Sequence, residues 1–214
     1  MEKQALFAYT WMVPGKNRRS RMRNNLFKRM VALSLLFLFI ATDVSAQSVT
    51  VLGDSEEAQE CFYSAQLATQ MHSASHSELT ACTNALISQN LRMRDRAATL
   101  INRGIIYVAL EEYQKAIKDY ERAEKLHPEF GAIHVNRGNL FFMGQSYDSA
   151  ILEYNKALDM GLNQSYVAHL NRGMAYEKLG QLHKAEADYR EAIALVPEWK
   201  TAQSKLERVL GKLN

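Results

Sequence analysis

Three times, at nearly fixed spacing, the chain carries Asn-Arg-Gly: Asn102-Arg103-Gly104, Asn136-Arg137-Gly138 and Asn171-Arg172-Gly173. The steps are 34 and 35 residues, and the match runs well beyond the tripeptide. An aromatic follows three residues after each glycine (Tyr107, Phe141, Tyr176), and an alanine twelve after it (Ala116, Ala150, Ala185). Then come Tyr120, Tyr154 and Tyr189, and finally Ala123, Ala157 and Ala192. A period near 34 with small and large residues at constant phase predicts stacked helix pairs, each burying its apolar face against its neighbours. Such arrays bind other chains through extended surfaces and are not built around a catalytic centre.

Within each unit two apolar stretches recur at three and four residues, separated by a short polar turn, which predicts two helices per unit. In the first unit these stretches carry Leu100, Ile101, Gly104, Tyr107 and Val108, then Ala116, Ile117, Tyr120, Ala123 and Leu126. Glycine inside a helix costs about 1 kcal/mol relative to alanine. Gly104, Gly138 and Gly173, with Ala116, Ala150 and Ala185, therefore mark close helix approach, and Tyr107 and Tyr120 are expected to fill the space between pairs.

The glycines, aromatics and alanines, with Pro128 and Pro197 closing the first and third units, resemble the tetratricopeptide repeat family. The resemblance implies an all-α, right-handed α-solenoid with repeats at 97–130, 131–165 and 166–199 and a C-terminal capping helix at 200–214. The middle repeat lacks the closing proline and has one extra residue, so Met160-Gly161 is expected to end its second helix in a left-handed cap. In superhelical members of the family, asparagines at the place of Asn102, Asn136 and Asn171 form a ladder on the concave wall that grips the backbone of an extended peptide. A primary amide offers one acceptor and two donors, matching a peptide C=O and N–H without reading side chains. The alternative is that they are tolerated polar residues without a ligand. The same wall is expected to carry Ile105, Asn139, Met174, Phe142 and Met143, forming apolar pockets unless the N-terminal pair or the capping helix covers them. Glu177 would make the far end charged. The capping helix is expected to bury Ala202, Leu206, Val209 and Leu210 and to keep Lys205 on its polar side.

Charge separates the N-terminal stretch from the rest. The chain has 26 Lys+Arg and 23 Asp+Glu, a formal net charge of +3, but residues 1–46 carry eight of the basic residues and two of the acidic ones. The remainder is net acidic without a basic stripe, which argues against a nucleic-acid partner. Lys28-Arg29 precede the apolar run Met30–Ala41 and the small-residue site Val44-Ser45-Ala46, the pattern of a cleaved secretory signal at 1–46, for which Met22 would be a more ordinary start. The run is too short for a relaxed membrane span, so membrane contact is expected only during export. The mature chain would begin at Gln47 with a loose tail over 47–53, in the periplasm or secreted. No cysteine stands just after the site, so a lipid anchor there is not expected.

Cys61 and Cys82 are the only cysteines, and an even count in an exported chain predicts one disulfide within a degenerate helix pair at 54–92. Two buried thiols are the alternative. Each repeat also sets an acid (Asp119, Glu153, Asp188) before its second-helix tyrosine, predicting repeated ion pairs with Arg103, Arg137 and Arg172. His134 and His169 share a phase with Leu100, which marks packing and not a metal site. No phosphate loop, helical His-Glu-x-x-His or Gly-x-Ser-x-Gly is present. The sequence therefore predicts no catalysis, cofactor, metal or small-molecule substrate, but a scaffold for a protein or extended peptide. The alternatives are a self-associating repeat protein or an accessory subunit of an envelope complex.

Overall fold

The computed structural model describes residues 46–214, and the expected leader therefore lies, but for Ala46, outside the described residues. Among them, nine helices follow one another: α1 (Glu56–Met71), α2 (Glu78–Ile87), α3 (Met93–Ala109), α4 (Tyr113–Leu126), α5 (Gly131–Met143), α6 (Tyr147–Asp159), α7 (Ser165–Lys178), α8 (Leu182–Leu195) and α9 (Lys200–Leu213). The repeats are the antiparallel pairs α3/α4, α5/α6 and α7/α8, and the first helices α3, α5 and α7 touch one another in sequence. The pair α1/α2 packs on α3, and α9 packs on α8, so the array is an all-α solenoid flanked at both ends.

The glycine–tyrosine phase has a direct steric cause. A Cβ placed on Gly138 or Gly173 would lie 2.6 or 2.7 Å from a ring carbon of Tyr154 or Tyr189, and Gly104 meets Tyr120 in the same way. All three tyrosines are buried against the glycine turn of the preceding helix. Tyr107, expected as a filler of the interior, is only half-buried, with Arg103 and Lys115 over its ring. It packs against the core cluster of the first repeat from its edge and does not fill the interior as Tyr120 does.

The turns repeat as faithfully as the helices. Glu111, Gln145 and Gly180 stand at equivalent places with φ of 61°, 59° and 72°. Gly161 has φ of 68°, the left-handed cap expected where the middle repeat lacks its proline. In each repeat an arginine crosses to the acid of the second helix: Arg103 Nε lies 2.7 Å from Asp119, Arg137 Nε 2.8 Å from Glu153, and Arg172 Nε 2.9 Å from Asp188. These pairs are largely buried, so they weigh more than surface ion pairs, and removing one partner would strand a desolvated charge. His134 and His169 bond the same acids, at 2.9 Å to Glu153 and 3.1 Å to Asp188.

At the N-terminal end Cys61 of α1 and Cys82 of α2 are joined by a disulfide and fully buried. Arg96 of α3 donates to the carbonyls of Leu86 and Ser88 at 2.7 and 2.9 Å, tying down the end of α2. Unreduced denatured protein should show no titratable thiol, and reduction should lower stability by about 3 kcal/mol on the chain-entropy estimate for a loop of this length. Two thiols in that titration would contradict the pairing. At the other end, Lys205 departs from expectation: it is 2 % exposed on α9, on the buried side with Ala202 and Val209.

Candidate functional site

The asparagines of the three tripeptides lie on α3, α5 and α7, each two positions before the glycine that holds its helix close to its partner. Asn102, Asn136 and Asn171 are 0, 1 and 0 % exposed. Burying a primary amide is tolerable only if both its ends find partners. Those partners are the backbone of the chain's own segment preceding α1. Oδ1 of Asn102 accepts from Val51 N–H at 2.9 Å, and its Nδ2 donates to Val51 C=O at 2.7 Å. Asn136 grips Val49 in the same way at 2.9 and 2.8 Å, and Asn171 grips Gln47 at 2.9 and 2.8 Å.

Residues 47–53, expected as a loose tail, are therefore a seated, extended strand, and the expectation is corrected. The period of an extended chain is the reason. Alternate residues point their N–H and C=O to the same edge, and two residues advance about 6.6 Å. Each repeat supplies one rung, and the segment advances two residues per rung, running from the third repeat towards the first. Two further contacts complete the seat. Asn139 donates to Gln47 C=O at 2.9 Å, while its Oδ1 accepts from Tyr154 OH at 2.9 Å and from Asn171 at 3.0 Å. Asp95 Oδ1 accepts from Asp54 N–H at 2.8 Å, where the segment turns into α1. Gly53 fits that turn closely, since a Cβ there would collide with Ala58.

Side chains add an apolar seal. Val49 is 3 % exposed and joins the cluster that includes Val135, Phe142, Val167 and Met174. Val51 packs against this cluster and against the one formed by α1–α4 with Ile133 of α5, so the segment bridges the two. Ile105, Phe142 and Met174, expected as open pockets unless covered, are buried: Ile105 shares a cluster with Cys61, Ala65 and Cys82 of the N-terminal pair, and Phe142 and Met174 share one with Val49 and with Ala202 and Val209 of α9. Met143 is 44 % exposed and, unlike Phe142, is not among the buried residues clustered with Val49. The charged end of the groove is neutralised by α9: Glu177 accepts from Arg208, Lys212 and Tyr189 at 2.7 to 3.0 Å.

The acids at these junctions set an acid-stability limit. Burial works against ionisation of Glu153 and Glu177, yet the bonds from His134, Lys156 and Arg137, and from Arg208, Lys212 and Tyr189, hold each at about 2. An unfolded glutamate titrates near 4.3. Each depressed group stabilises the fold fully above that value and loses its contribution as pH falls towards 2. Denaturant midpoints should be flat above pH 5 and fall between about pH 4.5 and 2; Glu177→Gln should reduce that fall. A midpoint independent of pH across that window would contradict the assignment.

Sequence profiles of the tetratricopeptide repeat match residues 101–163 and 166–198. The chain belongs to the tetratricopeptide repeat family. Residues of this tetratricopeptide repeat protein are also 24% identical, over 107 residues, to the "Lipoprotein NlpI homolog" of Haemophilus influenzae. The match covers 50% of this chain and 34% of that protein, so it spans about a third of the relative. The fold resembles the TPR domain of Arabidopsis OM64, with a TM-score of 0.52 and 26% identity over 56% of this chain and 99% of the other. It also resembles the first TPR domain of human RPAP3, at a TM-score of 0.52 and 26% identity, covering 56% and 94%. The first TPR of Spaghetti (RPAP3), solved with an HSP90 peptide, matches at a TM-score of 0.52 and 23% identity, over 59% and 98%, a likeness of fold. Among the described residues, no group of His, Cys, Asp and Glu is arranged to hold a metal ion, and no helix is long and apolar enough to cross a membrane.

Proposed function

We propose that this chain is a non-catalytic scaffold of the cell envelope whose concave groove recognises an extended protein segment through its backbone. One observation carries this reading: each of Asn102, Asn136 and Asn171 bonds both the N–H and the C=O of a single residue in an extended strand. That is a peptide complex formed within one chain. Envelope location is supported by the leader-like pattern of residues 28–46 and by the lipoprotein relative.

The resident segment sets the terms for any partner. A tethered ligand acts at an effective concentration in the millimolar range, so a free peptide of equal intrinsic affinity is outcompeted. A partner must therefore bring a better-fitting segment or more contacts outside the groove. The groove favours small β-branched side chains at the alternate positions taken by Val49 and Val51, because those side chains are confined while the ladder itself reads no side chain.

The test uses the full chain with Val49→Lys and Val51→Lys, which unseats the segment, and a labelled acetyl-Ala-Gln-Ser-Val-Thr-Val-Leu-Gly amide. Saturable binding is expected to the opened variant, far weaker to the original protein, and absent when Asn136→Ala is added. No binding to an opened variant that still melts cooperatively would restrict the ladder to holding its own segment.

A further inference from the structure

An extended strand has two edges, and the ladder uses one. Gln47, Val49 and Val51 turn their backbone groups to the asparagines. By the period of the strand, the N–H and C=O groups of Ser48 and Thr50 lie along the opposite edge. Among the described residues these four groups bond no protein atom, so the outer edge keeps two donors and two acceptors open to a partner. Ser48 and Thr50 line a cleft of about 370 Å³. Its other walls are Gln66, Thr69 and Gln70 of α1, Gln164 and Tyr166 at the start of α7, and Trp199 before α9. This volume falls within the range of ligand clefts, roughly 300–1,000 Å³.

Two features define what fits. First, no charged residue lines the cleft. Second, Gln66 and Gln70 stand one helical turn apart on one face of α1, and their amides bond no other described residue. A strand laid beside Ser48 and Thr50 would meet a backbone edge on one side and two primary amides on the other. Both of its edges would then be satisfied, as the seated segment's inner edge is by the asparagines. Tyr166 and Trp199, edge-to-face at 5.2 Å, offer an apolar seat for an aromatic or aliphatic side chain.

We infer that the outer edge of the seated segment, with this cleft, is a second docking site, and that it takes an extended, uncharged segment of another protein by strand addition. The segment is then a template and not only a plug: the site exists while Gln47–Val51 remain on the ladder. The inference rests on the scaffold reading only in that the guest is a protein. It requires the groove to stay filled, whereas a groove ligand requires it to empty.

The probe is acetyl-Ser-Tyr-Thr-Tyr-Thr-Ser amide, whose tyrosines are too large for the seat of Val49. It is titrated into the isotopically labelled full chain and followed by amide resonances. Saturable shifts and slowed exchange are expected at Ser48 and Thr50, with Val49 and Val51 still protected. Thr50→Pro removes one outward N–H at an edge position, where proline is tolerated, and should weaken binding about tenfold while leaving the ladder bonds intact. Probes N-methylated at the threonines and at the tyrosines should differ about tenfold, since only one set faces the segment; this needs no protein variant. Gln66→Glu, which places a charge on the far wall, should also weaken binding. The inference fails if no shifts saturate by about 1 mM, if Thr50→Pro and both N-methylated probes bind like their parents, or if Val49 and Val51 lose protection. It also fails if the neutral oligosaccharide chitotetraose shifts the cleft and the peptide does not, which would make it a glycan site.

Discussion

Asn136→Ala is expected to cost about 2–4 kcal/mol and to loosen the segment before it unfolds the array. The substitution leaves Val49 N–H and C=O buried without partners, at about 1–3 kcal/mol for each orphaned group, and opens a small void beneath a residue that is 3 % exposed. The segment can escape that penalty by leaving the groove, so the loss is capped at the free energy of docking, a local opening and not a global one. Proteolysis within 47–53 should accelerate more than the melting point falls. Asn136→Asp separates the two bonds. Its carboxylate still accepts from Val49 N–H but faces Val49 C=O with a second lone pair. Lowering pH through the carboxyl's titration restores a donor, so this variant alone should tighten the segment on mild acidification. Equal proteolysis of Asn136→Ala and the original protein would remove the ladder from the account.

Gly138→Val is expected to be among the most damaging single changes in the array, at about 3 kcal/mol or more. Even a bare Cβ at this position would sit 2.6 Å from the Tyr154 ring. That ring cannot swing aside, because Tyr154 is 0 % exposed and its hydroxyl is held by Asn139. Overpacking of this kind typically costs 1–3 kcal/mol for a few added carbons, and here the displaced ring also carries the bond that orients Asn139. The double variant Gly138→Ala with Tyr154→Leu should recover part of the loss of Gly138→Ala alone, a coupling that a double-mutant cycle reads directly. Helix propensity acts the other way, favouring alanine over glycine by about 1 kcal/mol, so a stabilised Gly138→Ala would contradict the steric cause. The sign alone therefore discriminates.

The repeat was legible because each of its constraints falls on one residue at one phase. Gly104, Gly138 and Gly173 face tyrosine rings sixteen residues on, and the arginines find acids at the same separation; both appear as periodic letters. The asparagines were legible too, through chemistry that resemblance supplied. What occupies them was not, because it comes from outside the period. Residues Ser48-Val49-Thr50-Val51 alternate polar and β-branched apolar side chains, which is a strand signal. In an all-helical chain a lone strand has no sheet to join, so the signal carried no structural meaning until side-chain amides took the place of a neighbouring strand. Lys205 and Met143 show the other limit. Helical phase gives a direction around an axis, but which neighbour stands in that direction depends on how α9 and the α5–α6 turn pack.

The match between ladder and strand also bears on function. One repeat advances the wall by one asparagine, and one asparagine consumes two residues of ligand. A longer array would grip a longer segment with the same side-chain indifference. Here three rungs hold five residues, Gln47 to Val51, with Asp95 as a fourth anchor on Asp54. Selectivity must then come from the confined alternate side chains and from whatever meets the outer edge.

Residue-resolved hydrogen exchange across 48–54 tests the central claim most directly. The bonding pattern predicts alternation: the amides of Val49, Val51 and Asp54 slow, those of Ser48 and Thr50 close to the rate of an unstructured peptide, and the alternation lost in the Asn102→Ala, Asn136→Ala, Asn171→Ala variant. Uniformly fast exchange through the whole stretch in the unaltered protein would show that the segment does not sit on the ladder, and would contradict the account.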